Sequence, residues 1–145
     1  MPDPTRREFV RVATAGVMTG LVAPLVSSCE HDPTKNWTFR QTIDVGSLSS
    51  VGEGFVSKTA GTDGAPILVI RTGPKEYTAL SVQCTHEGCP VNPPVNGVIT
   101  CPCHGSQYNL DGTVRRGPAQ FALTQYLTRY DADNHRLTVG AVGGA

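Results

Sequence analysis

From Trp37 to Val139 the chain alternates between short apolar stretches and clusters of Gly, Pro, Asp and Asn. Runs this short, bounded by turn-forming residues, are typical of β-strands, because a helix of ordinary length needs a longer run with a period of 3.6 residues. The predicted strands are Trp37 to Val45, Pro66 to Arg71, Tyr77 to Gln83, Val98 to Thr100, Ala122 to Tyr130 and His135 to Val139. We therefore predict an all-β protein.

The connections between these strands carry the residues with distinctive chemistry. Asp131 to Asn134 is a good hairpin turn between the last two strands. Tyr77 to Gln83 leads into one segment with cysteines and a histidine, and Val98 to Thr100 leads into another. The eleven residues Pro90 to Thr100 leave room for a hairpin and little else. Both segments therefore lie on loops at strand ends, where a rigid scaffold presents functional groups.

Composition and charge fit one small domain and exclude some partners. From Cys29 onward the 145-residue chain has nine basic and ten acidic residues, so we expect no basic surface for nucleic acid. Hydrophobic residues make up 39% of the chain, a modest apolar content for a core of this size. His31 and His135 fall in a linker and a turn, and we interpret both as solvated.

Two boxes of cysteine and histidine carry the chemistry of the chain. The first runs from Cys84 to Cys89 and contains His86, and the second runs from Cys101 to Ser106 and contains His104. Thiolates hold iron–sulfur clusters, and two histidines in place of two cysteines on one iron define a Rieske [2Fe–2S] centre. A structural zinc site can also use two Cys and two His, but its halves are usually spaced differently and lack a second cysteine pair.

The spacing of both boxes resembles that of the Rieske proteins. The resemblance implies one [2Fe–2S] cluster per chain, with Cys84 and Cys101 on the inner iron and His86 and His104 on the outer, more exposed iron. It also implies a disulfide that ties the two cluster loops together, between Cys89 and Cys103. The fold it implies is an antiparallel β-sandwich with a small cluster-binding subdomain inserted between its strands.

The residues after the second box resemble the Rieske subunits of quinol–cytochrome reductases in particular. In that group a Ser and a Tyr stand at the places of Ser106 and Tyr108, which implies that Ser106 bonds a bridging sulfide and Tyr108 the sulfur of Cys84. Such hydrogen bonds raise the reduction potential. The alternative is that both are ordinary polar strand residues. Arg116 to Ala119 resembles the proline loop that covers the cluster, although a Gly-Pro pair alone only indicates a turn.

The N-terminus predicts export. Thr5 to Arg11 contains paired arginines, a Phe two places on and a further basic residue, a pattern typical of a twin-arginine signal, and Val12 to Ser28 follows without a charge. That route moves folded proteins, so it suits a cluster assembled before export. A disulfide is also expected in an oxidising compartment, and soluble Rieske ferredoxins of ring-hydroxylating oxygenases generally lack this extra pair. We predict a folded domain on the periplasmic side of a bacterial cell membrane.

The end of the apolar segment allows two interpretations. Val26 to Cys29 resembles a lipobox, in which Cys29 becomes the lipid-modified first residue of a lipoprotein, and Cys29 is the cysteine that the boxes leave unused. The alternative is an uncleaved anchor helix, for which 17 residues would span only about 25 Å of a core of roughly 30 Å. We favour lipidation. The predicted organisation is a signal or anchor region at 1–28, a linker at 29–36 and a Rieske domain at 37–145.

The resemblance implies electron transfer. In the quinol-oxidising members a cluster histidine accepts a hydrogen bond from quinol while the cluster takes one electron, and His104 matches that histidine. The electron then passes to a c-type cytochrome, and cytochrome b is the docking partner. Glu87 departs from this pattern, because the position is usually Leu, and a carboxylate is costly to bury in an apolar dock. The alternative function is therefore a stand-alone or accessory periplasmic electron-transfer lipoprotein, for example of the arsenite-oxidase type. The other interpretation of Glu87 is a solvated surface residue without a role in docking.

Overall fold

A computed structural model describes residues 34–142 of the chain. That range contains strands and no helix, so the all-β prediction is confirmed. None of the described segments is a helix long and apolar enough to cross a membrane. The nine strands of the described residues are β1 Trp37–Asp44, β2 Gly54–Ala60, β3 Pro66–Arg71, β4 Tyr77–Ser81, β5 Ile99–Thr100, β6 Gln107–Tyr108, β7 Val114–Arg116, β8 Gln125–Asp131 and β9 Arg136–Val142.

The larger sheet has six antiparallel strands in the order β1-β9-β8-β4-β3-β2. Strand β8 joins its two halves, because Gln125 and Tyr126 pair with β4 while Leu127 to Asp131 pair with β9. The sheet curls at this strand, and residues of β1 and β9 share one core with residues of β3 and β4. The predicted antiparallel sandwich is confirmed in this form, as one curled sheet whose halves pack against each other.

Strands β3 and β4 are buried on both faces, which explains the continuous apolar run inside β3, although β4 also contains buried Thr and Ser. Ile67 and Val69 point into the core between the halves of the sheet. Leu68, Ile70 and Leu80 point the other way, into a second core that also contains Cys84 and Cys101. Because side chains alternate along a strand, the same two strands contribute side chains to the core of the sandwich and to the core of the inserted subdomain.

The inserted subdomain lies between β4 and β8 and contains the small sheet β5-β6-β7. A tight turn at Asn96 and Gly97, both with positive φ, joins the bridge partners Val95 and Val98. The hairpin expected between the two boxes is therefore present. The first box follows β4, whose side chains are all buried, and the second box lies between β5 and β6, each of which has one buried side chain.

Three strands were not predicted from the sequence, namely β2, β6 and β7. Strand β2 lies at the edge of the large sheet, next to β3 only, and Ser57 to Thr59 interrupt its apolar pattern. An edge strand does not need the alternation that a half-buried strand shows. Strands β6 and β7 are only two and three residues long, and they are defined by pairing with each other and with β5.

Candidate metal centre

The two boxes fold into loops with the same hydrogen-bond pattern. In the first, Gly88 N donates to Cys84 O at 2.8 Å and Cys84 N donates to Cys89 O at 2.9 Å. In the second, Gly105 N donates to Cys101 O at 3.0 Å and Cys101 N donates to the carbonyl of the residue after Gly105 at 2.8 Å. Gly88 and Gly105 have φ of 76° and 72°, a conformation that glycine adopts without strain. The boxes are thus two copies of one loop, which their sequences do not make obvious.

The loops divide the four described cysteines into a bonded pair and a free pair. Cys89 and Cys103 form a disulfide between the first loop and the second. Cys84 and Cys101 are free thiols, and both are buried, with 2% and 1% of their surface exposed. Each thiol is among the groups that shift the pKa of the other. The buried side of the site therefore offers two neighbouring sulfur donors.

Two imidazoles lie together on the exposed side. The ring centroids of His86 and His104 are 4.9 Å apart and the rings are nearly perpendicular. Their side chains remain 29% and 46% exposed. The ligand atoms of these two histidines and of Glu87 all lie within 4.8 Å of one another. A group bound by both imidazoles would therefore be reachable from solvent through them.

Hydroxyl groups reach the buried sulfurs from β6 and the residue before it. Tyr108, on β6, places its Oη 3.2 Å from Cys84 Sγ and is itself fully buried. Ser106 is also fully buried, and its Oγ accepts a hydrogen bond of 3.0 Å from Ala119 N. Since that bond uses a lone pair, the Ser106 proton stays available to donate toward the sulfurs. Ala119 follows the cis bond between Gly117 and Pro118, so the proline loop packs directly on this hydroxyl.

These contacts change the acidity of the groups involved. Burial alone would raise the pKa of the Cys84 thiol. Hydrogen bonds from the side chain of Tyr108, from the backbone of His86 and from the side chains of Cys101 and Ser106 hold that pKa below its ordinary value. Burial raises the pKa of Cys101, and the bond to Cys84 adds to the effect. Burial and the contact with Cys84 also raise the pKa of Tyr108, so the phenol stays a neutral donor. The site thus favours a thiolate at one cysteine, the form that binds metal.

The donor set fits a [2Fe–2S] cluster of the Rieske type. Two free, buried thiols lie at matching positions of two equivalent loops, and two exposed imidazoles lie close together on the same loops. Two sulfur donors for one iron and two nitrogen donors for the other are what such a cluster requires. In the described residues no buried polar side-chain atom of the site is left without a hydrogen-bond partner.

A family model, the Rieske [2Fe-2S] domain, matches residues 41–127. The match spans more than half of the chain and includes both boxes. The protein is a member of the Rieske [2Fe–2S] family. Its cofactor is therefore a [2Fe–2S] cluster, and its function is electron transfer through that cluster.

Other Rieske proteins resemble this one over most of its length. The cytochrome b6-f complex iron-sulfur subunit of Parasynechococcus marenigrum is 32% identical over 151 aligned positions, which cover 92% of this chain and 84% of the relative. The plasma membrane Rieske protein of the cyanobacterium Synechocystis PCC 6803 superimposes with a TM-score of 0.53 and 33% identity, covering 62% of this chain and 87% of that one. A chain of a hyperthermophilic respiratory Complex III gives a TM-score of 0.53 and 26% identity, covering 66% and 71%.

The structure brings the predicted site residues of the two boxes together. Sequence reasoning missed Thr85, which links three parts of the site. Its Oγ1 donates to Phe121 O at 2.6 Å and lies 3.1 Å from Tyr108 Oη, and its backbone N donates to the same phenol. The signal that could have identified Thr85 from the sequence was its hydroxyl group, which lies inside the first box. Cys29 and the predicted export signal lie outside the described residues, and His135 is exposed and bonded to Tyr130.

Proposed function

We propose that this Rieske protein is the iron–sulfur subunit of a membrane quinol–cytochrome c reductase, with cytochrome b and a c-type cytochrome as partners. The observation that carries the proposal is the Tyr108 hydroxyl 3.2 Å from Cys84 Sγ, on the buried side of a site whose histidines are exposed. Donors to sulfur raise the potential of a Rieske centre. The relative from Parasynechococcus marenigrum is named as a subunit of a cytochrome b6-f complex, which supports the same assignment.

In this proposal Cys84 and Cys101 bind the inner iron, and His86 and His104 bind the outer iron. The cluster that these four residues would hold would supply one-electron redox chemistry. The two thiols are the buried donors and the two imidazoles are the exposed donors. This arrangement excludes water from the sulfur ligands and leaves the histidine ligands accessible to partners. A low-dielectric surrounding strengthens the hydrogen bonds to sulfur.

The other residues of the site orient the donor groups and exclude water from them. Tyr108 would donate to the sulfur of Cys84, and the Ser106 hydroxyl would donate to a sulfur of the bound cluster. The proline loop fixes Ser106 through Ala119 N and excludes water from that side. His104 is 46% exposed, and we assign it the hydrogen bond that quinol donates when it gives up an electron.

The same proposal places the protein on a membrane. Residues 1–28 form a twin-arginine signal or anchor region, 29–36 a linker and 37–145 the Rieske domain on the periplasmic side. Lipidation at Cys29 is the tether that we favour over an uncleaved helix. The plasma membrane Rieske protein of Synechocystis PCC 6803 and the membrane complexes of the other relatives support a membrane location in general.

One observation favours a second candidate, an accessory electron-transfer lipoprotein that serves another oxidoreductase. The side chain of Glu87 is 61% exposed and lies beside both histidines. An apolar docking surface around the histidines would have to desolvate this carboxylate, which is unfavourable without a partner charge. A soluble or peripheral partner with a polar surface would not have to desolvate the carboxylate.

Isolation of the full chain from membranes distinguishes the two candidates. If the chain is a reductase subunit, the tagged full-length protein purified from detergent-solubilised membranes should bring with it a b-type and a c-type cytochrome, seen by their haem absorbance bands. Isolation of the cluster-loaded chain without a b-type haem would contradict the reductase assignment. The same preparation gives the mass of the N-terminal residue, which tests lipidation at Cys29.

The Tyr108 contact predicts a defined change in reduction potential. In Tyr108→Phe the midpoint should fall by roughly 40 mV, because one such bond contributes about 1 kcal/mol and about 1.4 kcal/mol corresponds to about 59 mV for one electron. EPR-monitored redox titration of the holoprotein measures it. Tyr130→Phe is the matched control, since Tyr130 contacts His135 and Tyr77, and its midpoint should not change. An unchanged midpoint in Tyr108→Phe would show that this contact does not raise the reduction potential, and the reductase proposal would lose the observation that carries it.

A further inference from the structure

A carboxylate lies at the exposed end of the cluster site. Glu87 follows His86 in the first loop, and its Oε1 is 4.0 Å from His86 Nε2 while its Oε2 is 3.7 Å from His104 Nδ1. The carboxylate thus approaches both imidazoles at once. Sequence adjacency accounts for its closeness to His86, but the contact with His104 arises only because the second loop folds against the first.

The charge of this carboxylate is not neutralised within the described part of the chain. Among residues 34–142, the only nitrogen atoms at ion-pair distance from Glu87 belong to the two imidazoles, and no lysine or arginine is among them. Arg115 and Arg116, on β7, are not within ion-pair distance of Glu87. A full negative charge therefore stands next to the two side chains that we assign to the outer iron.

We propose that Glu87 sets the reduction potential of the cluster by disfavouring its reduced state. Reduction adds one negative charge to the cluster, and a fixed negative charge a few ångströms from its ligands makes that addition less favourable. The inference rests on the assignment of His86 and His104 as ligands of the outer iron. It assigns to Glu87 a role that acts through those two histidines.

This charge opposes the hydrogen bonds on the buried side of the site. Tyr108 and Ser106 approach the sulfurs and stabilise the reduced state, whereas Glu87 approaches the imidazoles and destabilises it. The potential is therefore a balance between buried dipoles and an exposed charge. Because an exposed charge is screened by salt and a buried hydrogen bond is not, the two contributions are separable by experiment.

The balance determines which electron partners suit the protein. A cluster whose potential is lowered accepts an electron less readily and passes it on more readily. Glu87 thus matches the protein to a more strongly reducing donor than a chain with an apolar residue at this position would need. It is a specificity-determining residue for the electron-transfer reaction.

Charge substitutions at this position test the proposal. In holoprotein with Glu87→Gln, the equilibrium constant for reduction should rise about tenfold, which is a midpoint increase of about 59 mV for one electron. Glu87→Lys changes the charge twice as much and should give about twice that shift. Glu87→Asp keeps the charge and should stay near the wild-type midpoint. Glu76→Gln, in the turn between β3 and β4 at the opposite end of β4 from the first box, is the control and should not shift the midpoint.

Salt dependence distinguishes electrostatics from a change in loop structure. The difference between wild type and Glu87→Gln should shrink when ionic strength rises from about 0.01 M to about 1 M, because the Debye length falls from about 30 Å to about 3 Å. Midpoints of Glu87→Gln and Glu87→Lys at or below the wild-type value, at equal EPR spin count per chain, would overturn the proposal, as would a shift independent of salt. These readouts are differences between variants, so they are independent of whether cytochromes co-purify.

Discussion

Replacing His104 with alanine is expected to reduce the Rieske EPR signal to less than about a tenth of the wild-type spin count per chain. A four-ligand structural zinc site contributes on the order of 10 kcal/mol to the folded state. By analogy, we expect the loss of one of four cluster ligands to remove a few kcal/mol and to lower occupancy more than tenfold. His104 is proposed as one of the two nitrogen donors, and its ring lies 4.9 Å from that of His86. Spin quantification of freshly purified holoprotein measures the effect.

The control for this experiment is a histidine outside the site. His135 is exposed in the turn before β9, bonds Tyr130 and has a φ of 52°, a conformation that asparagine tolerates. His135→Asn should therefore keep the full signal. A full Rieske signal in His104→Ala would show that His104 is not a ligand, and the assignment of the outer iron would then be wrong.

Removal of the disulfide is expected to have the second largest effect. In the double variant Cys89→Ala with Cys103→Ala, the free energy of unfolding should fall by about 3 kcal/mol, because the bond closes a loop of sequence separation 14 and a loop near this length contributes about that much. With a urea dependence of about 1–3 kcal/mol per molar, the urea concentration that halves the visible cluster absorbance should drop by about 1–3 M.

The double variant is chosen because a single substitution would leave a free thiol beside the cluster loops. Treatment of the wild-type holoprotein with a strong thiol reductant should produce the same loss of resistance to urea, and the double variant should no longer respond to it. Equal urea midpoints for the wild type and the double variant would mean that the hydrogen bonds within each loop hold the site without the bond between the loops.

The Glu87 and Tyr108 predictions concern potential, and the two predictions above concern integrity of the site. The distinction matters because a variant that loses the cluster has no midpoint to measure. Tyr108 is fully buried, and Tyr108→Phe keeps its volume, so the cluster should remain. Glu87 is exposed, and its substitution removes no buried contact. The Glu87 and Tyr108 variants therefore report on the reduction potential of a cluster that is still bound.

Much of the fold was predictable because the inner strands have a simple pattern. The interior of β3 is a continuous apolar run, and every residue of β4 is buried although the strand contains Thr78 and Ser81, since both faces of these strands are buried. The turn between β8 and β9 contains Asp and Asn at the positions where the chain reverses. Strand β2 was missed because it lies at an edge, where pairing with one neighbour is enough and polar residues are tolerated. Its pairing with β3 follows from sheet topology, which local sequence does not contain.

The site was predictable to the extent that its chemistry is local. The two boxes contain their cysteines, histidines and glycines within six residues each, and the backbone bonds that shape each loop also lie within the box. The contacts between the boxes were not predictable from spacing alone. The approach of Glu87 to His104 and the bonds of Thr85 to Tyr108 and Phe121 join segments that are far apart along the chain.

The sequence by itself determined the kind of chemistry and the all-β class, and it supplied the candidate donor residues, because these depend on residue type and short-range spacing. The tertiary structure decided which groups surround those donors. It packed two equivalent loops against each other, buried the sulfurs under Tyr108 and the proline loop, and left both imidazoles exposed beside one carboxylate. Burial and long-range contact arise only when distant strands pair and pack, so the electrostatic environment of the site is a property of the folded chain.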